Sequence, residues 1–208
     1  MILEKIQFIT HQNDNYSYFD SALLALRSGI RFIQLRAKDL SDEEVVDLGK
    51  RILKECEAHD AIFIIDDRVE LVEEIGAHGV HLGNEDMPTD KAREILGKDM
   101  IIGGTANSYK DILKHYKNGV DYIGLGPFRY TTTKEKLSPI LGFDGYHRII
   151  KKCKENNIEI PIYAIGGLRV EDMEELARTG IYGVALSSLL IENDNPKNDV
   201  AKIQRLIK

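Results

Sequence analysis

Eight short apolar runs, each followed by a longer stretch of mixed polarity at helical spacing, divide this chain of 208 residues into nearly equal units. The runs fall at 6–10, 32–35, 61–65, 79–82, 100–104, 122–125, 160–165 and 182–186. They are too uniformly apolar to alternate between a wet and a dry face, so they predict parallel strands covered on both sides. Helices are predicted between them at roughly 17–28, 41–57, 68–75, 89–96, 108–117, 143–156, 170–179 and 197–207. Several starts are marked: Ser41-Asp-Glu-Glu44 is a capping box, Ser108-Tyr-Lys-Asp111 a weaker cap, and Pro196 suits a first helical turn.

A weak internal repeat supports the count. Gly29, Gly76, Gly119 and Gly180 each end a predicted helix and lead directly into strands two, four, six and eight. Eight β-then-α units in about 200 residues predict a single (β/α)8 TIM barrel over 1–208, at the short end of the usual size. A doubly wound open sheet would be expected to carry a Gly-x-Gly-x-x-Gly turn after its first strand, and Thr10-His-Gln-Asn-Asp-Asn15 offers none.

With 43% hydrophobic and 30% charged residues, the chain can bury one substantial core, and no Pro, Gly or Ser tract marks a linker. The net charge is −6, with Lys and Arg scattered among Asp and Glu, which argues against nucleic acid and anionic membranes as partners. No apolar run is long enough to span a bilayer, and the start lacks the plan of a secretory leader. Cys56 and Cys153 are the two cysteines, far apart and outside any Cys-x-x-Cys spacing, so a reducing cytoplasm is expected.

The barrel expectation sharpens the search for chemistry, because sites of this fold lie at the carboxyl ends of the strands. Those ends carry Gln34-Leu-Arg-Ala-Lys38, Asp66-Asp67, Asn84-Glu-Asp86, Thr105-Ala-Asn107, the segment 124–134, Gly166-Gly167 and Ser187-Ser188. Arg36 and Lys38 are spaced to point one way, either as a diphosphate-binding pair or as two surface cations. Asp67 and Asp86, from adjacent strands, read singly as helix caps. Beside Arg36, Lys38 and Lys134 they read better as oxygen ligands of a hard divalent cation such as Mg²⁺. In 124–134, glycines, Thr131, Thr132, Thr133 and Lys134 form a loop suited to an oxyanion and expected to act as a lid, with Tyr130 its least predictable residue. Gly166, Gly167 and Ser187 follow strands seven and eight, where barrels often bind phosphate beside a short extra helix; 188–191 is the candidate. Two anion sites on one mouth are therefore expected, one charged and one neutral.

No Ser/His/Asp, Cys/His or His-x-x-x-His arrangement is apparent, so nucleophilic and zinc chemistry lack candidates. His81, inside an apolar strand, reads as a satisfied core or rim histidine before it reads as a base.

Taken in order, Gln34-Leu-Arg-x-Lys38, Asp66-Asp67, His81-Leu-Gly-x-x-Asp86, Gly-Pro127 with Thr131-x-Thr-Lys134, Ile165-Gly-Gly167 and Leu186-Ser187 resemble the thiamine phosphate synthase family along nearly the whole chain. The resemblance implies a transferase joining 4-amino-5-hydroxymethyl-2-methylpyrimidine diphosphate to 4-methyl-5-(2-phosphoethyl)thiazole, with release of pyrophosphate. It implies that Gln34, Leu35, Arg36, Ala37, Lys38, Asp66, Thr105 and Lys134 bind the pyrimidine diphosphate, with Arg36, Lys38 and Lys134 catalytic. It implies that Thr131, Thr132, Thr133, Gly167, Leu186 and Ser187 bind the thiazole phosphate, and that Asp67 and Asp86 bind Mg²⁺. The partners are then two phosphorylated small molecules, and a homodimer is compatible.

Three positions depart from the family pattern: Asp66 stands for the usual Asn, Thr105 for Ser and Tyr130 for Pro. Thr105 keeps the hydroxyl. An ionised Asp66 accepts but does not donate, which leaves its role open between pyrimidine and metal. Two alternatives compete: a thiazole tautomerase, which would want a histidine where Asn107 stands, and a non-catalytic thiazole-phosphate module, which would have lost the metal ligands or Lys134.

Overall fold

The computed structural model describes residues 2–130 and 139–208. Thr131, Thr132, Thr133 and Lys134 lie outside the described residues, so the lid expected at 124–134 is represented by its first seven positions only. Eight strands, β1 (Ile6–Ile9), β2 (Phe32–Leu35), β3 (Ile62–Asp66), β4 (Gly79–Leu82), β5 (Ile101–Ala106), β6 (Tyr122–Leu125), β7 (Ile162–Ile165) and β8 (Gly183–Leu186), pair in parallel, each with the next. Pairing of β8 with β1 closes the barrel. The helices are α1 (Tyr18–Arg27), α2 (Asp42–Ala58), α3 (Leu71–Ile75), α4 (Thr89–Leu96), α5 (Tyr109–Lys117), α6 (Gly142–Glu155), α7 (Met173–Thr179), α8 (Ser188–Ile191) and α9 (Pro196–Leu206). This is the (β/α)8 TIM barrel that the apolar runs predict.

The caps act as their residue types require. Ser17 and Ser41 each form a capping box with the acid three residues on, and the Ser108 hydroxyl accepts from Asp111 N. Gly29, Gly76, Gly119 and Gly180 all have positive φ, which explains the repeat: each reverses the chain from a helix into a strand in a conformation a side chain would disfavour.

Boundaries differ from expectation where tertiary contacts decide them. β5 runs two residues past Gly104, because Thr105 and Ala106 continue the ladder opposite Gly124 and Leu125. α3 begins at Leu71, because 66–70 is spent on a tight turn in which Arg68 N donates to Asp66 O and Val69 N to Asp67 O. The predicted helix at 170–179 opens as a 3₁₀ turn, Val170–Asp172.

Side chains alternate between the barrel interior and the shell beneath the helices. Ile33, Leu35, Phe63, Ile65, Val80, Leu82, Ile123 and Leu125 join helical residues in the outer core. Inside, Leu3, Phe32, Ile64, Ile101, Tyr122 and Tyr163 pack together and close the amino-terminal end. Phe32, Tyr122 and Tyr163 meet edge to face with centroids 5.4 to 6.1 Å apart. This plug leaves the carboxyl-terminal half of the interior for polar residues. No helix among the described residues is long and apolar enough to cross a membrane.

Candidate active site

Residues at the carboxyl ends of β1, β2 and β4 to β8 surround a cavity enclosing about 910 Å³, its open mouth included. Arg36, His81, Thr105 and Asn107 line one side; Gly166, Gly167, Leu186 and Ser187 line the other. Arg36 and Thr105 of the charged set and Gly167, Leu186 and Ser187 of the neutral set thus line a single cavity.

On the charged side, β2 and β3 set Gln34 against Asp66: Gln34 Nε2 donates to Asp66 Oδ1 at 2.6 Å, and Arg36 Nε lies 3.3 Å from Asp66 Oδ2. Burial drives the Asp66 carboxyl well above its ordinary range, aided by Asp67 and opposed by Arg36 and Lys38. Leu35 and Ala37 are buried in the outer core, which leaves their backbone as the part able to meet a ligand. Lys38 Nζ lies 3.0 Å from Asp67 Oδ2 and is half exposed. Thr105 sits on β5 facing the cavity.

Asp67 has φ +67, a left-handed conformation uncommon for a residue with a side chain. Its N–H donates to His81 O on β4, and this turn carries its carboxylate to Lys38 and Asp86. Asp86 accepts from Gly83 N at 2.6 Å. Neither acid caps a helix: α3 and α4 have Glu70 and Pro88 at their caps. Burial raises Asp86, and its hydrogen bond with Asp67 raises it further. Burial pushes Asp67 the same way, but the hydrogen bonds from Asp86 and Lys38 prevail and hold it low. Contact between the two acids thus favours the charged form of Asp67 and the neutral form of Asp86, at a point where a cation could serve. Two hard oxygen donors beside a phosphate-binding mouth suit a divalent ion that completes its shell with phosphate and water. Among the described residues, no group of three or more His, Cys, Asp or Glu forms a closed cage.

On the neutral side, Gly166 and Gly167 take φ +94 and +65, and a Cβ on Gly167 would lie 2.7 Å from Tyr130 O. Ser187 precedes α8, the short extra helix that the sequence predicts at 188–191. Two buried side-chain atoms among the described residues have no hydrogen-bond partner: Gln34 Oε1 and Ser187 Oγ. Such atoms are rare in folded proteins, and here one belongs to each predicted ligand subsite.

A family model described as thiamine monophosphate synthase matches residues 6–190. The chain belongs to the thiamine monophosphate synthase family. Thiamine-phosphate synthase of Bacteroides thetaiotaomicron is 48% identical over 206 residues, covering 98% of this chain and 99% of that protein. Thiamine-phosphate synthase of Phocaeicola vulgatus is 52% identical over 202 residues, covering 97% of each. Among solved structures, thiamine phosphate pyrophosphorylase from Pyrococcus furiosus superposes with a TM-score of 0.83 at 29% identity, covering 98% of this chain and 95% of that one. The family makes the chain a transferase of thiamine biosynthesis with thiamine-phosphate synthase activity.

Some contacts that shape the surroundings of this cavity are not visible in the motifs. Arg129 forms a two-pronged pair with Asp172, both contacts 2.8 Å, and donates to Gly167 O at 2.7 Å. With Phe128 N to Ile165 O and Arg129 N to Gly166 O, it stitches the start of the loop after β6 to the turn after β7. An arginine between Phe128 and Tyr130 was the available signal. His81 is a rim histidine with both ring nitrogens engaged, as its setting predicts: Nδ1 lies 2.9 Å from Tyr122 Oη and Nε2 2.9 Å from Thr105 Oγ1. Asn107 is tied to Gly126 O and Asn84.

Proposed function

We propose that the chain condenses 4-amino-5-hydroxymethyl-2-methylpyrimidine diphosphate with 4-methyl-5-(2-phosphoethyl)thiazole to give thiamine phosphate and pyrophosphate. The observation that carries this reading is the pair of orphaned buried atoms, Gln34 Oε1 and Ser187 Oγ, one for each substrate. An exocyclic amino group would satisfy the first, and a phosphate oxygen accepting from the hydroxyl would satisfy the second.

In this reading Arg36 receives the diphosphate with its terminal nitrogens while Asp66 keeps hold of Nε, which fixes the plane of the fork. Lys38 and Lys134 add point charges. Asp67 and Asp86 would hold Mg²⁺, which when bound supplies neutralisation of the diphosphate charge. The methylene–oxygen bond breaks with its electron pair leaving on the diphosphate, and the aminopyrimidine spreads the positive charge left on the methylene. The thiazole nitrogen then gives its lone pair to that carbon, forming the new C–N bond. That nitrogen carries no proton, so the reaction requires no general base. The residues contribute positioning and charge stabilisation. Thr131, Thr132 and Thr133 would meet the thiazole phosphate together with the backbone of Gly167 and Leu186. Cys56 and Cys153, both free and buried, are compatible with a reducing cytoplasm. The tautomerase alternative is weakened at Asn107, an amide already engaged with Gly126 and Asn84.

The test is direct. Both substrates and Mg²⁺ are mixed with the protein, and thiamine phosphate is followed by its fluorescent oxidation product. Absence of product, or product indifferent to a chelator, would overturn the Mg²⁺-dependent condensation.

A further inference from the structure

Four side chains from four strands form a continuous hydrogen-bonded line through the barrel interior. Gln7 Nε2 donates to Tyr122 Oη at 3.0 Å, Tyr122 Oη meets His81 Nδ1 at 2.9 Å, and His81 Nε2 meets Thr105 Oγ1 at 2.9 Å. Gln7, Tyr122 and His81 are buried, while Thr105 is partly exposed and lines the cavity. Space for the line is cut by glycines: a Cβ on Gly103 would fall 2.2 Å from the Tyr122 ring and 2.5 Å from His81 Nδ1, and one on Gly124 3.2 Å from His81 Cε1. On the other side, His115 Nε2 lies 2.9 Å from Thr105 O, anchoring the same residue by its backbone.

The chemistry of the groups gives the line a direction. An amide N–H donates only, so the phenol oxygen accepts from Gln7, and its own buried hydrogen, with His81 Nδ1 the acceptor in reach, is satisfied when the imidazole accepts there. Burial pushes the Tyr122 phenol above its ordinary value, which keeps that hydrogen in place. A neutral imidazole that accepts at Nδ1 carries its proton at Nε2, which then donates to Thr105 Oγ1. The threonine hydroxyl, having accepted there, has its own hydrogen left for the cavity.

We propose that Tyr122 and His81 are positioning residues which orient Thr105 so that its hydroxyl is a hydrogen-bond donor toward an anionic ligand oxygen in the cavity. The ligand part rests on the proposed function, in which that oxygen belongs to the pyrimidine diphosphate. A donor already turned toward the place where diphosphate charge grows requires no reorientation during reaction. The same line reversed would offer an acceptor and repel that charge.

The full chain labelled with ¹⁵N-histidine reads the tautomer directly in long-range ¹H–¹⁵N spectra recorded at a pH where the ring is neutral, with His81 assigned by its loss in His81→Gln. The expected result is a pyrrole-like Nε2 and a pyridine-like Nδ1, and a mixture of tautomers in Tyr122→Phe. A protonated Nδ1 in the unaltered chain overturns the proposal. Kinetically, Tyr122→Phe should lower kcat/KM for the pyrimidine diphosphate by about three- to tenfold while the KM for the thiazole phosphate stays unchanged. In a Thr105→Val background the same change should have no further effect. Losses that multiply in the double variant overturn the assignment of the line to Thr105. The tautomer does not depend on turnover, so an Nε2-protonated His81 in a chain that makes no thiamine phosphate would refute the proposed function and leave the orientation of Thr105 standing.

Discussion

Asp67 and Asp86 meet carboxylate to carboxylate across the ends of β3 and β4, in hydrogen-bond contact although both are acids. The hydrogen bond with Asp86 and the ammonium of Lys38, 3.0 Å away, hold the Asp67 carboxyl low, while burial and the contact with Asp67 raise that of Asp86. The arrangement depends on the left-handed turn at Asp67, without which the carboxylate would not face β4. Backbone strain at Asp67 and two acids in contact coincide here, and a cation would relieve the crowding of the carboxylates.

Replacing Asp86 by Asn should therefore separate stability from activity. Without Mg²⁺ the variant should melt a few degrees higher than the unaltered chain, about 1 kcal/mol, because an amide donates to Asp67 without taking up a proton. Mg²⁺ at 100 times its dissociation constant should stabilise the unaltered chain by about 2.7 kcal/mol and leave the variant unmoved, while turnover in the variant falls on the order of 10²-fold. Thermal scans with and without the ion, alongside the fluorescence assay, check both halves.

Ser187→Ala should behave unlike most losses of a buried hydroxyl. Since Ser187 Oγ has no partner, its removal should leave the melting temperature unchanged or raise it by about 1 kcal/mol equivalent. The KM for the thiazole phosphate should rise roughly tenfold, with the KM for the pyrimidine diphosphate unaffected. A marked loss of stability would show that the hydroxyl has a structural partner.

The Arg129–Asp172 pair predicts an acid limb in the stability profile. Burial acts to raise the Asp172 carboxyl, but the hydrogen bonds from Arg129 and from Arg169 N outweigh it and hold the group below its ordinary value. A depressed folded value means the stabilisation is fully present above the unfolded carboxylate value, about 3.9, and is lost as pH falls through the folded one. Asp172→Asn should flatten that limb in denaturant titrations below pH 4 and cost about 2 kcal/mol at neutral pH, discounted for the partial exposure of Arg129.

Gly103→Ala tests the interior line without replacing any of its polar side chains. The added methyl meets the Tyr122 ring and His81, both buried, so it should destabilise the barrel by about 1–3 kcal/mol and lower kcat. The control is Gly97→Ser, at a helix end where a Cβ meets nothing within 4 Å. Its positive φ still carries a modest cost in stability, but kcat should not change. Denaturant midpoints and initial rates for the two variants decide the matter.

The barrel was legible because parallel strands buried on both faces leave continuous apolar runs, and because Gly29, Gly76, Gly119 and Gly180 recur at equivalent turns. Knowledge of the fold then pinned Arg36 and Ser187 to one cavity and set Asp67 beside Asp86 at the ends of adjacent strands. The rest was illegible for a physical reason. Gln7, Tyr122 and Thr105 are separated by up to 115 residues in the chain and meet only across the barrel interior. Tyr122 in an apolar run looks like packing, and it does pack, against Phe32 and Tyr163, while its hydroxyl does something else. Asp172 likewise reads as an ordinary acid in a first helical turn, because its partner lies 43 residues earlier. Strand ends shifted by one or two positions where the neighbouring ladder, not the residue's own propensity, set the limit, as at Thr105.

Gly29, Gly76, Gly119 and Gly180, which lead into the amino ends of β2, β4, β6 and β8, stand at the end of the barrel remote from every ligand residue described. Lengthening the chain there should cost chiefly loop-closure entropy, which grows slowly with length. That end is accordingly the natural attachment point for tethers, reporters or fused domains, since the chemistry would stay at the opposite pole.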